Sequence, residues 1–174
     1  MLGLGASVPK GGNVGGVDAY NYSVALDGDD YLTVSDHDSL SFNDNGSNDT
    51  NLSISCWVKV DDLSGTSYQG ILIKGEEYNL SILSLHNRLH FSRVDDNANA
   101  YIGKISTNNS IQEGVWQHVL ITCDDSEAVS GINIYIDGSV SFSANGTGGT
   151  YTASHNDATD LFIGRSGAHG GSLG

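Results

Sequence analysis

The chain has 174 residues, and seven Lys and Arg stand against 21 Asp and Glu, for a formal net charge of −14. A balance this acidic excludes nucleic-acid binding through phosphates, which needs clustered cations. The apolar runs are only a few residues long, too short for any segment to span a bilayer as a helix.

Hydrophobic residues make up 38% of the chain, enough for one core, and the 23 glycines and single proline mark it as turn-rich. Seventeen of the acids are Asp and four are Glu. Asp suits turns and strand ends whereas Glu suits helices, so the bias predicts an all-β chain. Scarce Lys with abundant Asp also suits solubility in salty water.

Residues 1–20 are Gly-rich without a periodic pattern and predict a flexible leader or docking arm, followed by one domain over 21–174. The first ten residues lack a basic n-region, and glycines break their apolar stretch, so no secretory signal is expected. Short strands are predicted at 23–26 and 31–34, separated by the Asp27-Gly28 turn. Residues 44–51 read as a polar loop.

The clearest strand is 52–60. Leu52, Ile54, Cys56, Val58 and Val60 fall on one face, with Ser53, Ser55, Trp57 and Lys59 on the other. Such alternation means one face meets a core. Further strands are predicted at 70–74, 77–84, 88–94, 100–105, 116–123, 131–136, 139–143 and 160–164. His86-Asn87 and Asp137-Gly138 are placed to turn hairpins, the second because Asp-Gly readily supplies positive φ. Cys56 and Cys123 sit in apolar runs, as two buried free thiols or as a bridge if their strands are adjacent. About eleven such strands without a helical stripe predict two packed antiparallel sheets.

Five segments in order carry a family resemblance. They are Val24-Ala-Leu-Asp-Gly-Asp-Asp-Tyr-Leu-Thr-Val34, Leu52-Ser-Ile-Ser-Cys-Trp-Val58, Gly114-Val-Trp-Gln-His-Val119, Ile134-Tyr-Ile-Asp-Gly138 and Leu161-Phe-Ile-Gly-Arg165. Together they resemble the laminin-G-like, concanavalin A-like lectin/glucanase jelly rolls over about residues 22–165. The resemblance implies a two-sheet antiparallel jelly-roll β-sandwich, often glycan-binding through a concave face and often holding a structural Ca2+. It also implies that Trp57 and Trp116 are packing residues. Members usually close with one more strand after the Gly-Arg segment, beside the strand carrying Ala25-Leu26. Here that closing strand is missing, so an open edge is expected unless residues 1–20, a neighbouring subunit or further chain covers it. The opening Met-Leu-Gly-Leu-Gly-x-Ser followed by Lys-Gly-Gly resembles the start of virion structural proteins of marine tailed phages.

Weighed residue by residue, the chemistry favours binding over catalysis. Glycoside hydrolysis needs two facing carboxylates, yet Glu76, Glu77, Glu113 and Glu127 have no acidic partner at i+2 or i+4, and no nucleophile elbow appears. Asp27, Asp29 and Asp30 cluster at one turn as candidate Ca2+ ligands. The six histidines show no pair at zinc-ligand spacing, so a zinc site is not expected. If Leu89 and Phe91 point inward, Arg88, His90 and Ser92 point out, with Asn79 and Ser81 beside them. Asn79, Arg88, His90 and Tyr101 are therefore the candidate glycan-binding residues.

The expected function is a non-catalytic virion decoration or fibre-associated protein of a tailed phage, assembled in the host cytoplasm, that binds host polysaccharide. Its expected partners are other virion proteins, met through residues 1–20 or the open edge in a homo- or hetero-oligomer. The alternatives are a carbohydrate-binding or adhesion module of a bacterial protein, outside the cell or on its surface, and, more remotely, a glycoside hydrolase.

Overall fold

Period-two alternation of β-branched and aliphatic residues with Ser, Asn and Thr fits a pleated surface with one dry face. In the computed structural model, which describes residues 2–5, 23–27, 30–44, 47–64 and 68–165, that pattern builds thirteen strands among the described residues. They are β1 (Leu2–Gly5), β2 (Ser23–Leu26), β3 (Leu32–Val34), β4 (Leu52–Val60), β5 (Tyr68–Lys74), β6 (Tyr78–Leu83) and β7 (Arg88–Asp95). Then follow β8 (Ala100–Ile105), β9 (Gln117–Cys123), β10 (Ile132–Ile136), β11 (Ser139–Val140), β12 (Ala144–Gly148) and β13 (Leu161–Ile163).

The strands form two antiparallel sheets. The six-stranded sheet runs β11-β10-β9-β4-β1-β2, and the seven-stranded sheet runs β12-β8-β7-β6-β5-β13-β3. This is the expected jelly-roll sandwich. Its core is one cluster, in which Leu52, Ile54, Val58 and Val60 of β4, Val119 and Ile121 of β9 and Ile132 and Ile134 of β10 face Leu80, Ile82, Leu89, Phe91 and Ile102. Each fully buried aliphatic side chain here contributes roughly 1.5–3 kcal/mol over its exposed state. Both expected hairpin turns hold left-handed residues, His86 (φ 74°) with Asn87 (φ 48°) and Asp137 (φ 51°) with Gly138 (φ 78°).

Several features differ from the sequence expectations. Leu2–Gly5 is a strand within the six-stranded sheet, between β2 and β4, so the place beside Ala25-Leu26 is taken by the start of the chain. The rest of the expected leader lies outside the described residues. Ala144–Gly148 was not expected as a strand; its Gly and Asn content carries no β-propensity, and it forms through backbone pairing along β8. Trp57 and Trp116 are 50% and 41% exposed, not packing residues. Trp57 stands on the outer face of the six-stranded sheet, against the His118 ring at 5.4 Å. Cys56 and Cys123 are free thiols. Their strands are adjacent, but Cys56 lies opposite Val119 and Cys123 opposite Leu52, so the register keeps them apart.

Beyond the apolar core, charged residues lock the loops 35–51 and 149–160 to the seven-stranded sheet. The Lys74 ammonium is fully buried among Asp36 Oδ1 (2.8 Å), Glu77 Oε1 (3.0 Å) and the Asp157 and Thr159 carbonyls (2.6 and 2.7 Å). Arg93 pairs with Asp49 at 3.0 Å and donates to the Thr50 and Phe42 carbonyls. Asp49 in turn accepts hydrogen bonds from the Tyr151 hydroxyl and the Ser154 amide. Burial pulls the Lys74 ammonium down, but its hydrogen bonds to Asp36 and Glu77 outweigh that and hold its pKa above the ordinary lysine value.

Candidate functional site

Alternation along β6, β7 and β8 decides what lines the outer face of the seven-stranded sheet. Leu89 and Phe91 are buried in the core, so Arg88, His90 and Ser92 point the other way. The register places Asn79 opposite Ser92 and Ser81 opposite His90. Gly103 lies on the far side of Ser92, and Gly146 beyond Gly103. The middle of this face is thus a floor of small or neutral polar residues, and no Asp or Glu occupies an outward position of β6, β7, β8 or β12.

The floor is knit internally. Asn79 Nδ2 donates to Ser92 Oγ, and Ser81 Oγ donates to Asn79 Oδ1 at 3.4 Å. Asn79 and His90 are only 1% and 2% exposed, so they underlie the surface instead of standing on it. Tyr101 is half-buried and lies over β12, where a side chain at Gly148 would collide with its ring. A methyl group at Gly146 would sit 3.7 Å from His90 Nε2 and 3.8 Å from Tyr101 Cε2, so both rings flank one glycine.

All four candidate glycan residues therefore share one sheet face, Asn79 and His90 in its floor and Arg88 and Tyr101 at its margin. Tyr68 joins them. It is 40% exposed, its ring stands edge-on to His90 at 6.3 Å, and its backbone pairs with Leu83 opposite Arg88. Sequence reading missed Tyr68 because it began that strand at Gly70. The signal was the two-residue step from Gly70 back to Tyr68, which keeps the same face. Arg88 Nε is buried and has no hydrogen-bond partner among the described residues.

The acids have other employment. Glu77 is buried against Lys74, Glu113 accepts from the Leu63 amide at 2.9 Å, and Glu127 accepts from the Asp49 amide at 3.1 Å. Glu76 lies in the turn between β5 and β6. At the expected calcium turn, Asp27 and Asp30 are exposed, while Gly28 and Asp29 fall outside the described residues. With Asp29, the sequence supplies three carboxylates within four residues, a donor set suited to a hard cation. No described helix is long and apolar enough to cross a membrane.

Comparison with known proteins agrees with this architecture. The binding domain of Paraclostridial Mosquitocidal Protein 1 aligns with a TM-score of 0.56 at 15% identity, over 79% of this chain and 33% of that one. A mutant of HCR/D aligns with a TM-score of 0.45 at 16% identity, over 70% of this chain and 30% of that one. The chain thus spans about a third of the length of the solved structures it matches, and the first likeness, at 15% identity, speaks to the fold alone. The laminin-G model described as the concanavalin A-like lectin/glucanases superfamily matches residues 26–173, and with that span covered the chain belongs to this superfamily.

Proposed function

We propose that the chain is a non-catalytic carbohydrate-binding module whose ligand lies across the outer face of the seven-stranded sheet, over Tyr68, Arg88 and Tyr101. Arg88 carries the reading: its buried Nε lacks a partner among the described residues, on a face where two tyrosines offer flat apolar surface. A sugar supplies both complements, hydroxyl oxygens for the guanidinium and C–H faces for the rings. The absence of acids from the outward positions of β6, β7, β8 and β12, and the structural employment of Glu77, Glu113 and Glu127, support binding without hydrolysis.

A polysaccharide array followed by calorimetry on a retained glycan tests this. Tyr68→Ala and Arg88→Ala are each expected to weaken binding about tenfold or more, ~1.4 kcal/mol, with the circular dichroism spectrum unchanged. Retention of no polysaccharide, with or without calcium, defeats the reading. So does an affinity that neither substitution alters. Calcium at Asp27, Asp29 and Asp30 belongs to the same proposal, and a calcium-dependent rise in Tm lost in Asp30→Asn checks it.

Carriage on a tailed-phage particle is the finer part of the proposal, supported by the likeness of the opening residues to virion proteins. Because Leu2–Gly5 is part of the sheet, the docking test removes residues 6–20 only. Loss of the chain from purified particles is the expected result, and undiminished incorporation defeats docking through that segment.

A further inference from the structure

We infer that Asp95, Asp96 and His155 form a binding site for a divalent transition ion of the zinc type, at the end of β7 away from Arg88. Asp95 ends β7, Asp96 opens the β7–β8 turn, and His155 comes from the 149–160 loop, sixty residues after Asp95. Their ligand atoms all lie within 4.8 Å of one another. His155 Nδ1 stands 3.5 Å from Asp95 Oδ1 and 3.4 Å from Asp96 Oδ1.

Those spacings are long for hydrogen bonds, which run about 2.7–3.2 Å for N–H···O. His155 Nδ1 is in fact a buried atom with no hydrogen-bond partner among the described residues. They do fit a coordination polyhedron. Zinc holds imidazole nitrogen and carboxylate oxygen at roughly 2.0–2.2 Å, and the edge of a tetrahedron of that radius is about 3.3–3.6 Å. Both nitrogen-to-oxygen separations fall in that range. An ion between the three atoms gives the nitrogen lone pair a partner and offsets the repulsion of two adjacent carboxylates.

The ligands are held in advance. Asp95 is 3% exposed at its side chain, and its two oxygens accept from the Ala98 amide at 3.1 Å and the Thr152 amide at 3.2 Å. The loop carrying His155 is pinned on both sides, by the Ser154 amide to Asp49 at 3.0 Å and the Asp157 amide to Glu77 at 3.1 Å. Supporting bonds of this kind orient metal ligands and raise affinity. Asp96 is 43% exposed at its side chain, which leaves the fourth tetrahedral position open to water. One imidazole with two carboxylates is a donor set for zinc-like ions, whereas calcium takes six to eight oxygens.

The test uses the full chain, stripped with a chelator, desalted and titrated with zinc chloride by calorimetry at pH 7.5. One zinc per chain is expected, together with a zinc-dependent rise in Tm. His155→Gln and Asp96→Asn should each weaken binding roughly tenfold or more, while the metal-free Tm stays within a few degrees of the parent. Asp96 is exposed, so its variant keeps the test valid if the histidine substitution unfolds the loop. Failure to bind zinc overturns the inference. So does zinc binding that both variants retain in full, which would place the ion on other histidines or the cysteines. A Tm that does not respond to zinc likewise overturns it.

Discussion

The seven-stranded sheet has polar side chains on both faces, and the two faces use them differently. On the inner face, beneath the loops 35–51 and 149–160, Lys74, Glu77 and Arg93 are 0% exposed and close on Asp36, Asp49 and loop carbonyls. On the outer face the floor is neutral, made of Asn79, Ser81, His90 and Ser92, and Arg88 at its margin keeps a donor in reserve. Arg93 Nε is also without a partner among the described residues, but it is sealed away, whereas Arg88 stands at the edge of solvent. Charges that close on one another hold loops in place. A donor left over beside exposed aromatic rings is equipped to meet something else.

The sharpest way to break this contrast is to open the inner network. Arg93→Met leaves Asp49 buried without its cation and is expected to cost about 3–5 kcal/mol by urea unfolding. On the outer face, Gly148→Val drives a side chain into the Tyr101 ring and should cost roughly 1–3 kcal/mol while shifting that ring. Arg88→Ala, by contrast, should alter stability by no more than about 0.5 kcal/mol while weakening glycan binding. If Arg88→Ala destabilises as much as Arg93→Met, the two faces do the same job and the contrast fails.

Alkaline titration sharpens the inner half. Because the folded-state pKa of Lys74 is raised above the ordinary lysine value, its contribution is complete below that ordinary value and is lost as pH climbs through the raised folded pKa. Urea midpoints measured above pH 10 should fall for the parent more steeply than for Lys74→Met. The smallest effect belongs to Cys56. Burial pushes its thiol up to about 11, so alkylation at pH 8 should be slow in the folded chain and fast after unfolding.

Much of this fold could be read from residue order, because alternation reports directly on which side of a strand is dry. The strand at 52–60, the outward set Arg88, His90 and Ser92, and both left-handed turns followed from local patterns alone. What escaped was set by pairing at a distance. β12 is Ala-Asn-Gly-Thr-Gly, and only the backbone of β8 makes it a strand. Leu2–Gly5 is a strand only because β2 and β4 flank it. Trp57 carried the right face assignment but the wrong inference, since the outer face of β4 is not covered by another sheet. His155 shows no metal-ligand spacing along the chain, and only the loop anchored at Ser154 and Asp157 brings it to Asp95 and Asp96.

The placement of Leu2–Gly5 reaches beyond sheet order. β2 is joined to its sheet through β1 and nothing else among the described strands, so its registration waits on contacts between the first residues and β4, some fifty positions away. Pairings of such long sequence separation slow folding. The same arrangement pairs Gly5 with Ser23, so any docking element in the connection between them is held at both ends. Loop-closure entropy changes by only about 0.6 kcal/mol for each doubling of length, so that connection can be lengthened, shortened or rewritten with little penalty to the sandwich that carries it.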